Sequence, residues 1–455
     1  MSLRIIHTGD LHIGQKLLNV CRLEEHRAML YWISSQIKET DASVLLIAGD
    51  VFDKANPSAE SQRLFFDWLA DLQKIECLKQ VVITAGNHDS AAYLQAFNQL
   101  FSYLEIHVVG ADHNQDSSWI EDWVIPLKGD SGEYEGVVAA VPFLFEYRFG
   151  LKNKQMITSD IAAEEAFKTS LKKLYADLAE HAQTQYPGLP VVAMGHLTAI
   201  GEDSLVGPQP IEIHRILNNS LDGKLFDLRY SYVALGHIHK NYRVKGPSNA
   251  WYCGSPIPCS IDEAEDKCTR GVWLVELKPE DAYNISKAPS PKLLEAPHLR
   301  TLIRLRGVKD SIYRQIDELD LEASPFTTMV WIDAELPIYE LNFLPDLREY
   351  VADRDIRIVG YRTKPISAKI GSNEDILLND SEVEQDDLLS EADGLFENFD
   401  LSSLFVEFLK ASEEEDPDDE LLNRLIMIAS DADQDGGLSE ALDANEQSTN
   451  NPAEV

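Results

Sequence analysis

Cysteine is scarce in this 455-residue sequence, and no two cysteines form a C-x-x-C pair. The five cysteines are Cys21, Cys77, Cys253, Cys259 and Cys268. An odd number without close pairs argues against a disulfide framework and against a structural zinc site. We therefore expect free thiols in a reducing compartment.

Long apolar runs are also missing. No stretch approaches the roughly 20 apolar residues that a membrane-spanning helix needs, so the sequence predicts no membrane segment. The first residues, Met1 to Arg4, lead directly into a predicted strand and lack the three regions of a secretory signal. We therefore expect a cytoplasmic protein.

Positive charge is the third deficit, because the formal net charge is −37. Between Gly371 and Val455 there are 26 acidic residues and two basic ones, and the rest of the chain is acidic too. This charge argues against a protein that coats nucleic acid by its own electrostatic attraction. It is compatible with a local basic strip, with bound divalent cations, or with a partner that supplies the positive surface.

The length and the composition predict three segments. Residues 1–280 form an α/β domain, residues 298–366 form a small α+β module, and residues 371–455 form a solvated acidic tail. Within the tail, residues 401–409 and 420–428 carry apolar side chains at helical spacing. Such faces either await a partner surface or pack back on their own domain, and the periodicity favours neither.

Hydrophobic periodicity predicts the elements of the first two segments. Strands are expected at 5–8, 44–48, 81–85, 106–109, 123–125, 137–141, 191–194, 232–235 and 272–277, and helices at 23–37, 57–74, 90–100 and 161–183. The module is expected to have strands at 301–305, 328–332 and 356–361 and helices at 309–319 and 344–353, after a linker at 287–291. Strand–helix alternation of this kind predicts a sheet covered by helices on both faces.

One pattern recurs at five of these strands: the apolar run ends in glycine, and Asp, Asn or His follows at once. The five sites are Gly9-Asp10-Leu11-His12, Gly49-Asp50, Gly86-Asn87-His88-Asp89, Gly195-His196 and Gly236-His237-Ile238-His239. Functional groups in open α/β sheets collect at the carboxyl ends of strands, where glycine allows close approach of the backbone. A single motif of this kind often occurs by chance, but five of them, each directly after a predicted strand, indicate a shared site.

The residue types in this pattern favour a binuclear metal centre. Two carboxylates, an amide and several imidazoles are too many ligands for one tetrahedral zinc, and they suit two adjacent divalent ions that share a carboxylate. The predicted ligands are Asp10, His12, Asp50, Asn87, His196, His237 and His239. Asp50 is the candidate for the shared carboxylate. Such a pair of ions activates water for in-line displacement at phosphorus.

The same loop supplies a candidate for proton transfer. His88 follows a predicted ligand, so it points elsewhere and can donate a proton to the leaving oxygen, with Asp89 placed to orient it. We therefore predict His88 and Asp89 as catalytic residues. Asp53 is expected to hydrogen-bond a ligand imidazole. The other histidines are predicted to be ordinary core or surface residues: His7, His26, His107, His113, His181, His214 and His298.

These five motifs together resemble those of the calcineurin-like metallophosphoesterases over about residues 1–280. Three further stretches resemble the bacterial SbcD family of exonuclease subunits, which is related to the eukaryotic Mre nucleases. They are Asp50-Val51-Phe52-Asp53 with Asn56-Pro57-Ser58, Gly195-His196-Leu197-Thr198, and Tyr252-Cys253-Gly254-Ser255-Pro256-Ile257-Pro258. The resemblance implies a two-sheet sandwich flanked by helices, and the module at 298–366 stands where that family has its DNA-capping domain.

The resemblance also implies roles and partners. One ion would be held by Asp10, His12, Asp50 and His239, and the other by Asp50, Asn87, His196 and His237, with His88 as the catalytic histidine. The implied metal is Mn²⁺, although the ligand types alone allow manganese, iron or zinc. The implied assembly is a homodimer with an SbcC-type ATPase, which trims double-stranded DNA ends from the 3′ side and cleaves single strands and hairpins. The chain departs from that family in its charge and its long acidic tail.

Two other functions remain open from the sequence. A metallophosphoesterase of this fold can act on nucleotides, cyclic nucleotides or phosphoproteins, and it would need neither the module nor an ATPase. A non-enzymatic subunit that binds DNA ends would tolerate a metal site that has lost one or more of its ligands. The complete ligand set argues against this second alternative.

Overall fold

The structure, a computed structural model, describes residues 2–110, 119–144, 160–199, 224–266, 268–282, 290–337, 340 and 342–365. The chain divides into two compact units, Met1–Ala368 and Lys369–Val455, and all described residues belong to the first. The two tail helices expected at 401–409 and 420–428 therefore lie outside the described residues. Among the helices of the described part, none is long and apolar enough to cross a membrane.

The described part contains seventeen strands and nine α-helices, plus a 3₁₀ turn at Pro279–Asp281. The strands are β1 (Leu3–Thr8), β2 (Lys16–Leu17), β3 (Val20–Cys21), β4 (Val44–Ala48), β5 (Gln80–Thr84), β6 (Ile106–Val109), β7 (Val124–Lys128), β8 (Tyr134–Ala140), β9 (Val191–His196), β10 (Tyr230–Gly236), β11 (Asn241–Arg243), β12 (Ala250–Cys253), β13 (Gly271–Leu277), β14 (Lys292–Glu295), β15 (Arg300–Val308), β16 (Phe326–Leu336) and β17 (Ile356–Pro365). The helices are α1 (Leu23–Thr40), α2 (Ala59–Leu72), α3 (Ala91–Gln95), α4 (Asn98–Ser102), α5 (Trp119–Trp123), α6 (Asp160–Gln185), α7 (Ile261–Glu265), α8 (Lys309–Asp317) and α9 (Phe343–Tyr350).

Two six-stranded sheets form the α/β domain. The first has the order β14-β13-β1-β4-β5-β6, and the second has the order β11-β12-β10-β9-β8-β7. Strands β1, β4, β5 and β6 are mutually parallel, as are β8, β9, β10 and β12. All these parallel strands therefore end at the same edge of their sheet.

Side chains alternate between the two faces of each parallel strand, and both faces are buried. In β4, Leu46 packs in the core between the two sheets, while Leu45 and Ile47 pack against α1 and α2. Burial on both faces explains why these strands are continuous apolar runs in the sequence. Helix α6 covers the outer face of the second sheet through Leu171, Leu178 and their neighbours.

The architecture confirms a two-sheet sandwich flanked by helices. A single sheet with helices on both faces, which the alternation alone had predicted, is wrong, because each sheet packs one face against helices and the other against its partner sheet. The single helix expected at 90–100 is also wrong. It is two short helices, and the break at Ala96–Phe97 lets Asn98 Nδ2 donate to Val108 O (3.0 Å) on β6. Ser90 caps α3, as expected, by accepting a hydrogen bond from Tyr93 N.

The small module consists of the parallel sheet β15-β16-β17 with α8 and α9 as its crossover helices. It docks on the α/β domain through a charge cluster around Glu25. The buried Arg22 donates two hydrogen bonds to the Glu25 carboxylate, at 3.1 and 2.7 Å. Arg300 of the module donates a third, at 2.6 Å. One buried carboxylate therefore joins helix α1 to the module.

Replacing Glu25 by alanine is expected to lower the free energy of unfolding by about 3–5 kcal/mol, because it leaves the Arg22 guanidinium buried without its counter-charge. Urea denaturation measures this. Glu24→Ala is the matched control. The Glu24 side chain is 69% exposed and pairs with Arg27, so its loss should lower the free energy of unfolding by no more than about 1 kcal/mol. Equal effects of the two substitutions would contradict the assignment of Glu25 as a buried anchor.

The Glu25 carboxylate also makes the free energy of unfolding depend on pH. Burial raises the pKa of Glu25, but the hydrogen bonds and charges of Arg22 and Arg300 outweigh it, so that the pKa lies below the ordinary value. The stabilisation is therefore complete at neutral pH and is lost as the pH falls below the ordinary carboxyl range through the folded-state pKa. In Glu25→Ala this part of the acid sensitivity should be absent.

Candidate metal centre

The candidate site lies where the carboxyl ends of the two sheets meet. The predicted ligands follow five strands: Asp10 and His12 follow β1, Asp50 follows β4, Asn87 follows β5, His196 ends β9, and His237 and His239 follow β10. Main-chain hydrogen bonds join the first two loops, since Asp10 N donates to Gly49 O (3.0 Å) and His12 N to Asp50 O (3.0 Å). These bonds hold together two loops of the first sheet, and the loops after β9 and β10 approach them from the second.

The backbone at these loops is left-handed. The φ angle is 48° at Asp10, 43° at His12, 49° at Asp50 and 93° at His237. Such a conformation costs a residue with a side chain about 1–3 kcal/mol, and strained positions of this kind cluster at functional sites. Four of the seven predicted ligands are held in this way, which indicates that the loops are shaped for the site.

The recurring glycines make room for the ligands. A Cβ atom on Gly49 would lie 2.1 Å from Nδ1 of His196, and one on Gly86 would lie 2.1 Å from Oδ1 of Asp50. Any larger residue at either position would displace a predicted ligand. The glycine in the sequence pattern therefore serves close approach between loops of different strands.

Asp50 lies at the centre of the cluster. Its Oδ2 is 3.2 Å from Nε2 of His196 and 3.6 Å from Nε2 of His12. Its Oδ1 accepts a hydrogen bond from the main-chain N of His88 (2.9 Å). Ligand atoms of Asp10, Asp50 and His196 all lie within 4.8 Å of one another. Asp50 thus faces side chains from both sheets, as a shared carboxylate must.

The two flanks of Asp50 contain the remaining ligands. On one flank, Asn87 Oδ1 is 3.1 Å from Nε2 of His196 and 2.9 Å from Nδ1 of His237. On the other, Nε2 of His12 and Nε2 of His239 are 3.1 Å apart. The Asp10 carboxylate accepts a hydrogen bond from the main-chain N of His237 (2.8 Å).

The electrostatics of the cluster suit a cation. Burial lowers the pKa of His12 and of His237 to about 3, which keeps these imidazoles neutral and able to ligate. Burial also lowers the pKa of His196, but the charge of Asp50 and the hydrogen bond to it raise that pKa to about 9. The aspartates therefore draw a proton onto His196, and a divalent ion can take the place of that proton. Oxygen and imidazole donors of this kind fit a divalent ion of the first transition row.

His88 is exposed, and its ring is fixed by a main-chain group. Nδ1 of His88 donates to the Asp53 carbonyl (2.9 Å). The Asp89 carboxylate instead accepts three main-chain N–H groups, from Val51, Phe52 and Gly86. The expectation that Asp89 orients His88 is therefore wrong, because the ring nitrogen of His88 donates to the Asp53 carbonyl instead. The Asp89 carboxylate ties the loop after β4 to the loop after β5.

The hydrogen bond expected from Asp53 to a predicted ligand imidazole is not formed, because Asp53 Oδ1 is 3.8 Å from Nδ1 of His12. Among the histidines outside the pattern, His7 is a fully buried core residue whose Nδ1 is 2.9 Å from the Tyr232 hydroxyl. His113 and His214 lie outside the described residues.

Comparison with known proteins shows the family. The sequence model of the calcineurin-like phosphoesterases matches residues 3–241, which is more than half of the chain. The chain belongs to the calcineurin-like phosphoesterase family. This match confirms the family and the enzyme class predicted from the motifs, a metal-dependent phosphodiester hydrolase.

Curated relatives of this phosphoesterase include three proteins named as the SbcD component of the nuclease SbcCD. The protein from Rhodobacter capsulatus is 32% identical over 328 residues, which cover 71% of this chain and 77% of the relative. The one from Escherichia coli K12 is 28% identical over 359 residues, which cover 77% of this chain and 81% of the relative. The one from Bacillus subtilis is 27% identical over 279 residues, which cover 61% of this chain and 67% of the relative. The first two alignments are longer than the α/β domain, so the similarity extends into the module.

A further residue of this phosphoesterase centre, Glu263, was missed by sequence reasoning. Its Oε1 is 2.9 Å from Nδ1 of His239, and its Oε2 accepts hydrogen bonds from Cys259 N (2.9 Å) and Arg270 Nη2 (3.2 Å). The carboxylate therefore fixes the ring so that Nε2 of His239 faces His12. The only local signal is Ser260 three residues earlier, a pattern that indicates a helix start and not a metal site.

Glu263→Gln is expected to weaken binding of the ion that His239 is predicted to hold by about 10–100-fold, because carboxylates behind ligand imidazoles contribute on that scale. Isothermal titration with Mn²⁺ measures this. Glu60→Gln, in the first turn of α2, is a matched control that should leave the affinity unchanged. Unchanged affinity in Glu263→Gln would show that this carboxylate has no part in the metal centre.

Proposed function

We propose that this protein is the nuclease subunit of a DNA end-processing complex active in replication and recombination. It would degrade double-stranded ends in the 3′–5′ direction and cleave single strands and hairpins. The observation that carries this proposal is the convergence of seven ligand-type side chains from both sheets, with Asp50 at their centre. The relatives named as part of the nuclease SbcCD support the choice of DNA over a small phosphate ester, since their similarity extends into the module beside the site.

The geometry supports the roles that the family resemblance implies. Asp10, His12 and His239 would hold one divalent ion with Asp50, and Asn87, His196 and His237 would hold a second ion with Asp50. We propose Mn²⁺ for both in the active enzyme, because the resemblance to the SbcD family implies it and the ligand types allow it. When bound, the ions supply charge stabilisation and an activated water for displacement at phosphorus. The Asp50 carboxylate positions the loop of His88 by accepting a hydrogen bond from the main-chain N of His88.

His88 is proposed to protonate the leaving oxygen. Because the Asp53 carbonyl accepts from Nδ1, that nitrogen carries a proton, and Nε2 is the nitrogen left to exchange a proton with the substrate. The exposure of His88 leaves it open to a substrate at the rim of the cluster. General-acid catalysis of this kind contributes about 10²–10⁴-fold in rate.

We further propose that an SbcC-type ATPase binds the acidic tail, because the names of the relatives denote one component of a two-component nuclease. The candidate contacts are 401–409 and 420–428. Deleting residues 395–430 is expected to abolish co-purification with the ATPase and to leave Mn²⁺-dependent cleavage by the isolated nuclease chain intact. Co-purification that survives the deletion would contradict this assignment.

The proposed homodimer is supported by an apolar surface at α4. Leu100 is 61% exposed and Tyr103, directly after α4, is 87% exposed, so both side chains are available to a second copy. Light scattering should give a dimer for the wild type and a monomer for Leu100→Glu/Tyr103→Glu. Leu228→Glu, at another exposed leucine, should remain dimeric. A double variant that stays dimeric would exclude this surface as the interface.

The experiment that tests the proposed function offers two substrates to the same preparation. A labelled DNA hairpin and a small phosphodiester are incubated with Mn²⁺ and the ATPase, with and without ATP. Efficient cleavage of the hairpin supports the nuclease. Rapid hydrolysis of the small ester with an intact hairpin would move the assignment to a phosphoesterase for small substrates.

A further inference from the structure

A thiol lies beside one half of the proposed metal centre. A ring nitrogen of His12, a ring nitrogen of His239 and Sγ of Cys259 all lie within 4.8 Å of one another. Cys259 was predicted to be an ordinary free thiol, and it belongs to none of the five glycine motifs. The structure instead places it next to two imidazoles that face each other.

The position of this thiol is fixed by its main chain. Cys259 N donates to Glu263 Oε2 (2.9 Å), and Cys259 O accepts from Nε2 of Gln15. The carbonyl of the preceding residue, Pro258, accepts from the buried Arg22 (2.7 Å). Hydrogen bonds on both sides of the residue therefore hold Sγ near the imidazoles. Glu263 contributes twice, because it also orients His239.

The spacing matches a site for one metal ion. Two nitrogen ligands of a tetrahedral ion with metal–nitrogen bonds near 2.05 Å lie about 3.3 Å apart. The corresponding nitrogens of His12 and His239 are 3.1 Å apart. Sulfur is a soft ligand that favours Zn²⁺ and Co²⁺ over Mn²⁺, whereas imidazole and carboxylate discriminate less.

We propose that Cys259 is an additional ligand of the ion held by His12 and His239, and that it gives this position a preference for Zn²⁺ over Mn²⁺. The inference rests on the proposed binuclear centre. When the sulfur–metal bond forms, the thiol proton passes to solvent. Zn²⁺ held in this way would compete with Mn²⁺ and inhibit the nuclease.

The alternative is that the thiol only hydrogen-bonds to its neighbours. Cys259 Sγ is 3.4 Å from the Ser255 hydroxyl, whose own proton goes to Ile257 O (2.6 Å). In that case the sulfur never contacts the ion, and replacing it by the serine hydroxyl would leave metal selectivity unchanged.

The test is the absorption spectrum of the full-length protein loaded with Co²⁺. A sulfur–cobalt bond gives an intense charge-transfer band in the near ultraviolet, and nitrogen and oxygen ligands alone do not. The wild type and Cys21→Ser, at an exposed cysteine, should show the band, and Cys259→Ser should lack it. A wild-type spectrum without the band would overturn the proposal, and this measurement requires no variant to fold.

Competition binding then gives the size of the effect. The Zn²⁺ affinity of Cys259→Ser should fall by about 10–100-fold while its Mn²⁺ affinity changes little. Equal losses for both ions would indicate a structural role for the loop and would contradict the proposal. Neither readout depends on DNA cleavage. A protein that binds Co²⁺ with the sulfur band but cleaves no DNA would refute the proposed function and leave this inference intact.

Discussion

Asp50→Asn is expected to reduce Mn²⁺-dependent DNA cleavage by about 10³-fold or more, on the scale of losing a charged group that stabilises the transition state. The asparagine keeps the size of the side chain and one oxygen, but it removes the negative charge that faces His12 and His196. It also removes the carboxylate that two ions would share. Single-turnover cleavage of a labelled hairpin measures the loss.

The same variant should bind Mn²⁺ with lower stoichiometry as well as lower affinity, because the proposed ions both depend on Asp50. Asp41→Asn is a matched control: Asp41 has a similar φ of 50°, and its side chain is 72% exposed at the end of α1. Cleavage by Asp50→Asn within an order of magnitude of the wild type would exclude Asp50 as the shared ligand.

His88→Ala is expected to lower the rate of DNA cleavage by about 10²–10⁴-fold and to leave Mn²⁺ affinity nearly unchanged. We expect the affinity to be preserved because the hydrogen bond of His88 to Asp50 is made by its main-chain N, and its ring Nδ1 is bonded to the Asp53 carbonyl. His181→Ala, on helix α6, is the control that should match the wild type in both measurements.

A change of leaving group separates proton donation from positioning. A phosphodiester that releases nitrophenolate needs little help from an acid, so His88→Ala should lose much less activity on it than on DNA. Equal losses on the two substrates would show that His88 positions the substrate and does not donate the proton. Unchanged cleavage of DNA would exclude both roles.

The buried strands that precede the ligand loops, and the loops themselves, could be predicted because their signals are local. The short strands β2, β3, β11, β12 and β14 were not predicted. Val44–Ala48 is a continuous apolar run since both of its faces are buried, and Gly49 marks the point where another loop approaches. The pairing of the strands into two sheets is not local. Strand β13 pairs with β1 across more than 250 residues, and nothing in either sequence identifies its partner.

The supporting residues of the site escaped prediction for a related reason. Glu263 lies in an ordinary helix start, and its role exists only because the fold brings it to His239. The contact that orients His88 is made by a main-chain carbonyl, so no side chain in the sequence indicates it. Arg22 and Glu25 are charged residues at the beginning of a helix, a pattern typical of a solvent-exposed turn, yet both are buried.

The most direct test of the binuclear centre is a crystal structure with Mn²⁺ and its anomalous scattering. We expect two peaks about 3.5–4 Å apart with Asp50 between them. Asp10, His12 and His239 should surround one peak, and Asn87, His196 and His237 the other. A single peak, or two peaks with Asp10 and His239 in different coordination spheres, would contradict the proposed centre.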